Sequence, residues 1–301
     1  MTISHEAAVQ QGVQYLEQGR ALLLQGQAAA ATEPLTLARQ TPAAPEVILQ
    51  AHALIEQHGL PGCFSNIMGL ECAISAEDDI FRFFAGHPSS LNPVRDYLAD
   101  GWRTLAELMV LLERCQQPLC AMPRVLEFAS GHGRFTRHLV KALSPQQVTV
   151  ADVVPSAVEF SRQAFGVQGF LSASVPEQVR WPQQYELVFV LSLFSHLPRA
   201  TWLRWLAVLQ EAVAPGGLLV FSTHGQKAAD FHHVPLDAEG FFFTPSSESL
   251  AIDGQEYGTT FTTPAFVQQA IAQTWGEQAL VQQSLVHFWN HQDAYVLRKN
   301  K

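Results

Sequence analysis

The stretch Val125-Leu-Glu-Phe-Ala-Ser-Gly-His-Gly-Arg-Phe-Thr-Arg-His-Leu139 constrains the fold of this chain more than any other. A short β-type run enters a patch of small residues, and a helical pattern follows at once. Ala129, Ser130, Gly131 and Gly133 let a ligand come close to the backbone. The start of the following helix presents N–H groups that have no partner within the helix. A strand, a glycine-rich turn and a helix in this order belong to a parallel sheet.

The rhythm continues along the chain. Val148 to Asp152 and Leu187 to Leu191 read as strands, followed by helical stretches from Ser156 to Phe165 and from Arg199 to Val213. Pro215-Gly216-Gly217 reads as a turn before a further strand, Leu218 to Phe221. Strands alternating with helices predict a doubly wound, mostly parallel sheet covered on both faces. The runs Ala279 to Phe288 and Ala294 to Arg298 lie too close together for a crossover, so an antiparallel final strand is expected. The stretch from about 225 to 263 is long for a connection and rich in aromatics, including Phe231, Phe241, Phe242, Phe243, Tyr257 and Phe261. It is read as an insert covering the site, its aromatics packed down or walling an acceptor pocket.

Ahead of Pro123 the pattern is helical. Tyr15, Gly19, Leu22, Gly26, Ala31, Leu35 and Ala38 fall at spacings that resemble one tetratricopeptide unit. Gly26 breaks the pattern and an alanine-rich second helix follows up to Arg39; Pro34 sits inside it unless the helix starts there, with Thr32 as its cap. So short a repeat must dock on the rest of the chain or on another subunit, so a protein partner or self-association through these helices is considered. Asn92-Pro93 reads as the start of a helix running to about Cys115. The expected organisation is a helical, tetratricopeptide-like segment over 1–60, a helical linker or cover over 61–120 and an α/β domain over 121–301.

Composition narrows the partners. Lys plus Arg is 18 against 27 for Asp plus Glu, a formal charge of −9 with no basic cluster. That disfavours nucleic acid and anionic lipid surfaces. No apolar run reaches the roughly 18–20 residues needed to span a bilayer. Met1-Thr-Ile-Ser-His-Glu6 has no basic stretch followed by an apolar one. Cys63, Cys72, Cys115 and Cys120 contain no C-x-x-C pair and read as reduced thiols. A cytoplasmic protein with no membrane contact and no metal is expected.

Two carboxylates sharpen the reading of the glycine turn. Glu127 lies within the strand, where an acid repels a pyrophosphate but suits a cationic amine. Asp152 ends the next strand, about 20 residues after the turn, where a carboxylate accepts from a ribose hydroxyl pair. A ligand with a ribose and an ammonium but no phosphate fits both, as S-adenosyl-L-methionine does.

At this point residues 123–301 resemble the class I S-adenosylmethionine-dependent methyltransferases, with their Rossmann-like fold. Glu127 to Gly133 is similar to the family's first motif and Asp152 to its ribose acid. Tyr185 to Ser192 is similar to its fourth-strand motif, and Pro215-Gly216-Gly217 to the turn before its fifth strand. The resemblance implies a cofactor site of Glu127, Ala129, Ser130, Gly131, Gly133, Asp152, Val153, Ser174, Leu191 and Ser192. Three departures stand out. Ala129 replaces a usual glycine, which is acceptable if its backbone angle is ordinary. Leu171-Ser-Ala-Ser174 lacks the acid that often contacts adenine, leaving Ser174 for that role. Glu186 replaces a common aspartate.

Methyl transfer needs no acid, because the leaving sulfur is neutral, but a hydroxyl or ammonium acceptor needs a base. His196 and His224 follow the fourth and fifth strands, at the edge where α/β sites form, and are the candidate catalytic residues. His291-Gln292-Asp293, in the turn between the last two strands, reaches the same region. The acceptor is unidentified, more readily a small molecule than nucleic acid. Two other functions are weighed. A nicotinamide-dependent oxidoreductase expects a third glycine where Thr136 stands. A methyltransferase-fold binding protein without activity is favoured by Ala129 and the missing third-strand acid.

Overall fold

The computed structural model describes residues 5–42 and 44–301. Met1–Ser4, part of the stretch read above for a secretion signal, and Ala43 lie outside them. Contacts gather into two compact units, Met1–Gly101 and Trp102–Lys301, whereas the sequence reading divides the chain near 60 and 120.

The first unit is helical. It holds α1 (His5–Leu24), α2 (Ala28–Arg39), α3 (Pro45–Gln57), α4 (Phe64–Met68), α5 (Asp79–Gly86) and the first turns of α6 (Pro93–Arg114). Leu16, Ala31, Leu35, Ala38, Val47, Ala51 and Ile55 form one core. The repeat-like spacing has a packing cause: a Cβ on Gly19 would lie 2.5 Å from the Leu35 side chain, so only glycine lets α1 and α2 approach this closely. Of the two placements of Pro34, inside the second helix or at its start, the structure has the first. Helix α2 begins at Ala28, and Pro34 sits buried inside it. Thr32 is not a cap; its hydroxyl donates to the Ala28 carbonyl within the helix. Ile48 and Leu49, also on α3, meet Phe81, Val94, Tyr97 and Leu98 in a second core. Asn92 caps α6 as expected, accepting from Arg95 N at 3.1 Å.

The second unit carries the sheet. Its strands are β1 (Val125–Phe128), β2 (Val148–Asp152), β3 (Gln168–Leu171), β4 (Tyr185–Val190), β5 (Val213–His224), β6 (Phe241–Thr244), β7 (Thr259–Thr262), β8 (Leu280–Phe288) and β9 (Gln292–Arg298). The helices are α7 (Thr136–Ala142), α8 (Pro155–Phe165), α9 (Arg199–Ala212), α10 (Gln226–Phe231) and α11 (Pro264–Thr274). Strands β3, β2, β1, β4 and β5 are parallel neighbours in that order. β9 lies antiparallel on Leu218–His224 of β5, and β8 lies antiparallel on β9. The fold is a Rossmann-like, mostly parallel sheet closed by an antiparallel strand and preceded by a helical region.

Alternate side chains feed two cores. Leu126, Phe128, Val188, Val190, Leu219 and Phe221 face Trp202 and Leu206 of α9 and Val267 and Ile271 of α11. Val125, Leu187, Phe189, Leu218 and Val220 face Leu105, Leu108 and Leu112 of α6 and Leu139 of α7. This two-sided burial explains why the strands read as continuous apolar runs. One expected turn is different. Pro215-Gly216-Gly217 lies within β5, where Tyr185 pairs with Val213 and Leu187 with Leu218. The extra residues form a bulge, with Gly216 at φ +79°.

The insert holds α10 and the β6–β7 hairpin. β7 meets β5 at one parallel pair, His224 with Phe261. Beyond the end of β4 its backbone bonds the loop there, Gly258 N to His196 O at 2.9 Å and Thr260 N to Ser195 O at 2.7 Å. Most of its aromatics pack down: Phe241 is buried beside Phe266, and Phe261 is buried beside Ala228 and Ala229. Phe231 is 75% exposed and belongs to no core.

Candidate functional site

The carboxyl ends of β1, β2, β4 and β5 bring most of the singled-out residues to one edge. Glu127 is fully enclosed, and its Oε2 accepts from Thr136 Oγ1 at 2.7 Å. Burial pushes its carboxyl up to about 8, against the weaker pull of the Thr136 hydroxyl and of Arg134. Asp152 is also buried and holds the glycine turn in place. Its Oδ2 accepts from Gly131 N at 2.8 Å, and its Oδ1 from Val154 N at 2.9 Å. Burial raises its pKa too, opposed by these backbone bonds. Ser130 N donates to Ala151 O, tying the same turn to β2. A Cβ built on Gly131 would meet nothing within 4 Å, so the turn borders open space.

Ala129 has φ +58°. The condition set on it, an ordinary backbone angle, is therefore not met: this alanine sits in the left-handed region that favours glycine. It is half-buried and packs, as do Phe170, Ala173 and Trp181, against the buried core that holds Leu126 and Phe128. Ser192, just after β4, also has a positive φ, +63°. Val153 and Leu191 are half-buried beside them. Ser174 is exposed, whereas Ser172 is half-buried and its N donates to Asp152 O at 2.8 Å. The Ser172 hydroxyl and the Trp181 indole nitrogen are buried with no partner among the described residues.

A polar chain runs from Ser192 to His224. Ser192 N donates to Ser222 Oγ at 2.8 Å, and Ser222 Oγ donates to Gln292 Oε1 at 2.6 Å. Gln292 Nε2 lies 2.8 Å from Ser192 Oγ and 3.3 Å from His224 Nε2. His224 Nδ1 is 3.2 Å from the Thr260 carbonyl. A carbonyl only accepts, so the proton sits on Nδ1 and Nε2 accepts from Gln292. Burial first, then His196 and His291, push His224 down to about 3, so its ring is neutral at physiological pH.

His196 is differently placed. Its Nδ1 donates to the Gly258 carbonyl at 2.7 Å, and Tyr257 stacks on its face at 4.3 Å. Nε2 faces Glu248 Oε1 at 3.6 Å. Burial lowers its pKa, opposed by Glu248 and the Gly258 bond. Among the described residues no group of His, Cys, Asp or Glu is arranged to hold a metal ion, and no helix is long and apolar enough to cross a membrane. Cys63, Cys72, Cys115 and Cys120 are not joined by disulfides.

Residues 126–219 match a protein family described as a methyltransferase domain. Over these residues the chain is similar to a methyltransferase domain. No curated protein matches the chain. Among solved structures, it is similar to magnesium protoporphyrin IX methyltransferase from Synechocystis PCC 6803, at 14% identity and TM-score 0.48, over 74% of this chain and 94% of that one. It is also similar to the 1,6-didemethyltoxoflavin-N1-methyltransferase of Burkholderia thailandensis, at 14% identity and TM-score 0.47, over 76% and 92%. A third is an S-adenosylmethionine-dependent methyltransferase of Mesorhizobium loti, at 14% identity and TM-score 0.44, over 65% and 100%.

Several residues at this edge escape sequence reasoning. Thr136 shows only as a missing glycine, yet its hydroxyl is the bond made to buried Glu127. Ser222 lies inside an apolar strand and gives no signal of a polar network. Glu248 and Tyr257 sit in the insert, where no period fixes which side chains turn inward.

Proposed function

We propose that this domain transfers a methyl group from S-adenosyl-L-methionine to a small acceptor at the carboxyl edge of the sheet. The observation that carries this is the fixed pair of buried acids around an open glycine turn. Glu127 offers a carboxyl enclosed by protein to a ligand ammonium, and Asp152 offers its remaining lone pairs to ribose hydroxyls. Ser130, Gly131 and Gly133 line the approach, with Ala129, Val153, Leu191 and Ser192 beside it. Ser172, Ser174 and Trp181 suit the heterocycle, since two of them hold buried polar atoms without partners. Bound there, the cofactor supplies an electrophilic methyl on a sulfonium, so the protein's task is mainly to place an acceptor in line.

On the acceptor side the two histidines divide. His196 acts as a clasp: its Nδ1 and its ring face are spent on the insert, so a role as base is the weaker assignment. His224 is neutral and held in one tautomer by Thr260 and Gln292, and it forms the floor of the acceptor space. The lack of a basic surface favours a small molecule over nucleic acid. A nicotinamide function is disfavoured by the acid beneath the turn. Calorimetry with S-adenosylhomocysteine and with reduced nicotinamide separates the readings: the first is expected to bind once per chain and the second not at all. Binding of the nicotinamide alone would overturn the proposal.

A further inference from the structure

His224 is one of three imidazoles gathered from three elements. It ends β5, His232 follows α10, and His291 precedes β9. Because β9 runs antiparallel, its first residue, Gln292, pairs with His224, so the turn before it lies at the same edge as the site. The His291 ring lies 5.2 Å from that of His224 and 5.6 Å from that of His232, edge to face in both cases. Phe261 lies under His224 at 5.0 Å and beside His232 at 5.8 Å, giving the group an apolar wall.

Among the described residues this group has imidazole neighbours and no carboxylate paired with it. His224 feels His196, His291 and His232, and His291 feels His232. The one neighbouring imidazole with a carboxylate of its own is His196, which faces Glu248. Asp293 is turned to other work: its Oδ1 accepts from Val286 N at 2.7 Å, and Lys227 is its cationic neighbour. His291 is half-buried and His232 exposed, so both can meet a ligand from solvent, whereas His224 lies deeper.

We propose that His232 and His291 bind an anionic group, a carboxylate on an aromatic or otherwise apolar methyl acceptor, with His224, backed by Phe261, beneath it. This rests on the methyltransferase reading and names the acceptor class for the same site. A proton taken up with the anion makes an imidazolium its counter-charge. Burial and the neighbouring imidazole hold His291 below its ordinary pKa, so anion binding is coupled to proton uptake. Affinity therefore rises as pH falls, by up to about tenfold per pH unit for each proton taken up.

Benzoate serves as the probe, since it stays ionised across the imidazole range, with benzyl alcohol as its uncharged counterpart. The whole protein, saturated with S-adenosylhomocysteine, is titrated with each while the histidine ring resonances are followed by NMR at pH 8 and pH 6. Benzoate is expected to shift His232 and His291 saturably and to bind more tightly at pH 6. Benzyl alcohol is expected to bind at least about tenfold more weakly, as loss of a charged contact implies. His291→Gln combined with His232→Gln is expected to abolish the benzoate response while leaving S-adenosylhomocysteine binding unchanged. Equal binding of the alcohol, a benzoate response that survives the double substitution, or no response at all overturns the proposal. Failure of S-adenosylhomocysteine to bind instead overturns the methyltransferase reading beneath it.

Discussion

At the scale of single residues, burial sets the chemistry. Glu127 is pushed up to about 8, so between the ordinary carboxyl range and that value the folded state holds a proton that the unfolded chain releases. Stability from this group is therefore complete at acid pH and lost as pH rises towards 8. Replacing it with Gln removes the titration, so Glu127→Gln is expected to melt above the wild type at pH 8 and close to it at pH 5. A difference in melting temperature that does not change with pH would contradict the assignment. Ala129 carries a separate cost: its left-handed backbone is about 1–2 kcal/mol unfavourable for a residue with a Cβ. Ala129→Gly is expected to recover roughly 1 kcal/mol, less the extra chain entropy of glycine, read as a higher denaturant midpoint. The sequence made Glu127 and Asp152 legible because one lies within a recognisable strand and the other ends one. The angle at Ala129 was not legible, since nothing in the residue type reports a positive φ.

At the scale of elements, the insert is held by its contacts with the loop after β4. His196 bonds the Gly258 carbonyl and stacks on Tyr257, and Thr260 Oγ1 donates to Leu197 O at 2.5 Å. Arg199 adds ion pairs to Asp237 and Glu239 and lies over the Phe241 ring. His196→Ala leaves a buried carbonyl without its donor and is expected to cost about 1–3 kcal/mol. Faster proteolysis between about 245 and 258 should accompany that loss. A variant that keeps full stability and proteolytic resistance would contradict the clasp. The alternating strands and helices of the sheet were readable because a parallel sheet buried on both faces writes apolar runs into the sequence. The β6–β7 hairpin was not. Its strands are short, and β7 is fixed by one pair to β5 and by side-chain bonds to a loop distant in sequence. Pro34 left the start of α2 open to sequence reading, and packing holds it inside the helix against its local preference.

At the scale of the whole molecule, each buried apolar cluster lies within one unit, two in Met1–Gly101 and three in Trp102–Lys301. A chain starting at Asn92, which keeps the cap of α6, is therefore expected to fold by itself with one cooperative thermal transition. An aggregated or non-cooperative product would show that its cores are incomplete. The division after Gly101 falls inside α6, and a continuous helical pattern hides such a boundary from sequence reading. The central claim, that the acids around the glycine turn hold S-adenosyl-L-methionine, is tested most directly by calorimetry of S-adenosylhomocysteine against the wild type and Asp152→Ala. The expected result is one site per chain in the wild type and about 1.5–3 kcal/mol weaker binding in a folded Asp152→Ala, from the loss of a charged acceptor. No binding to the folded wild type, or unchanged affinity in the folded variant, would contradict it.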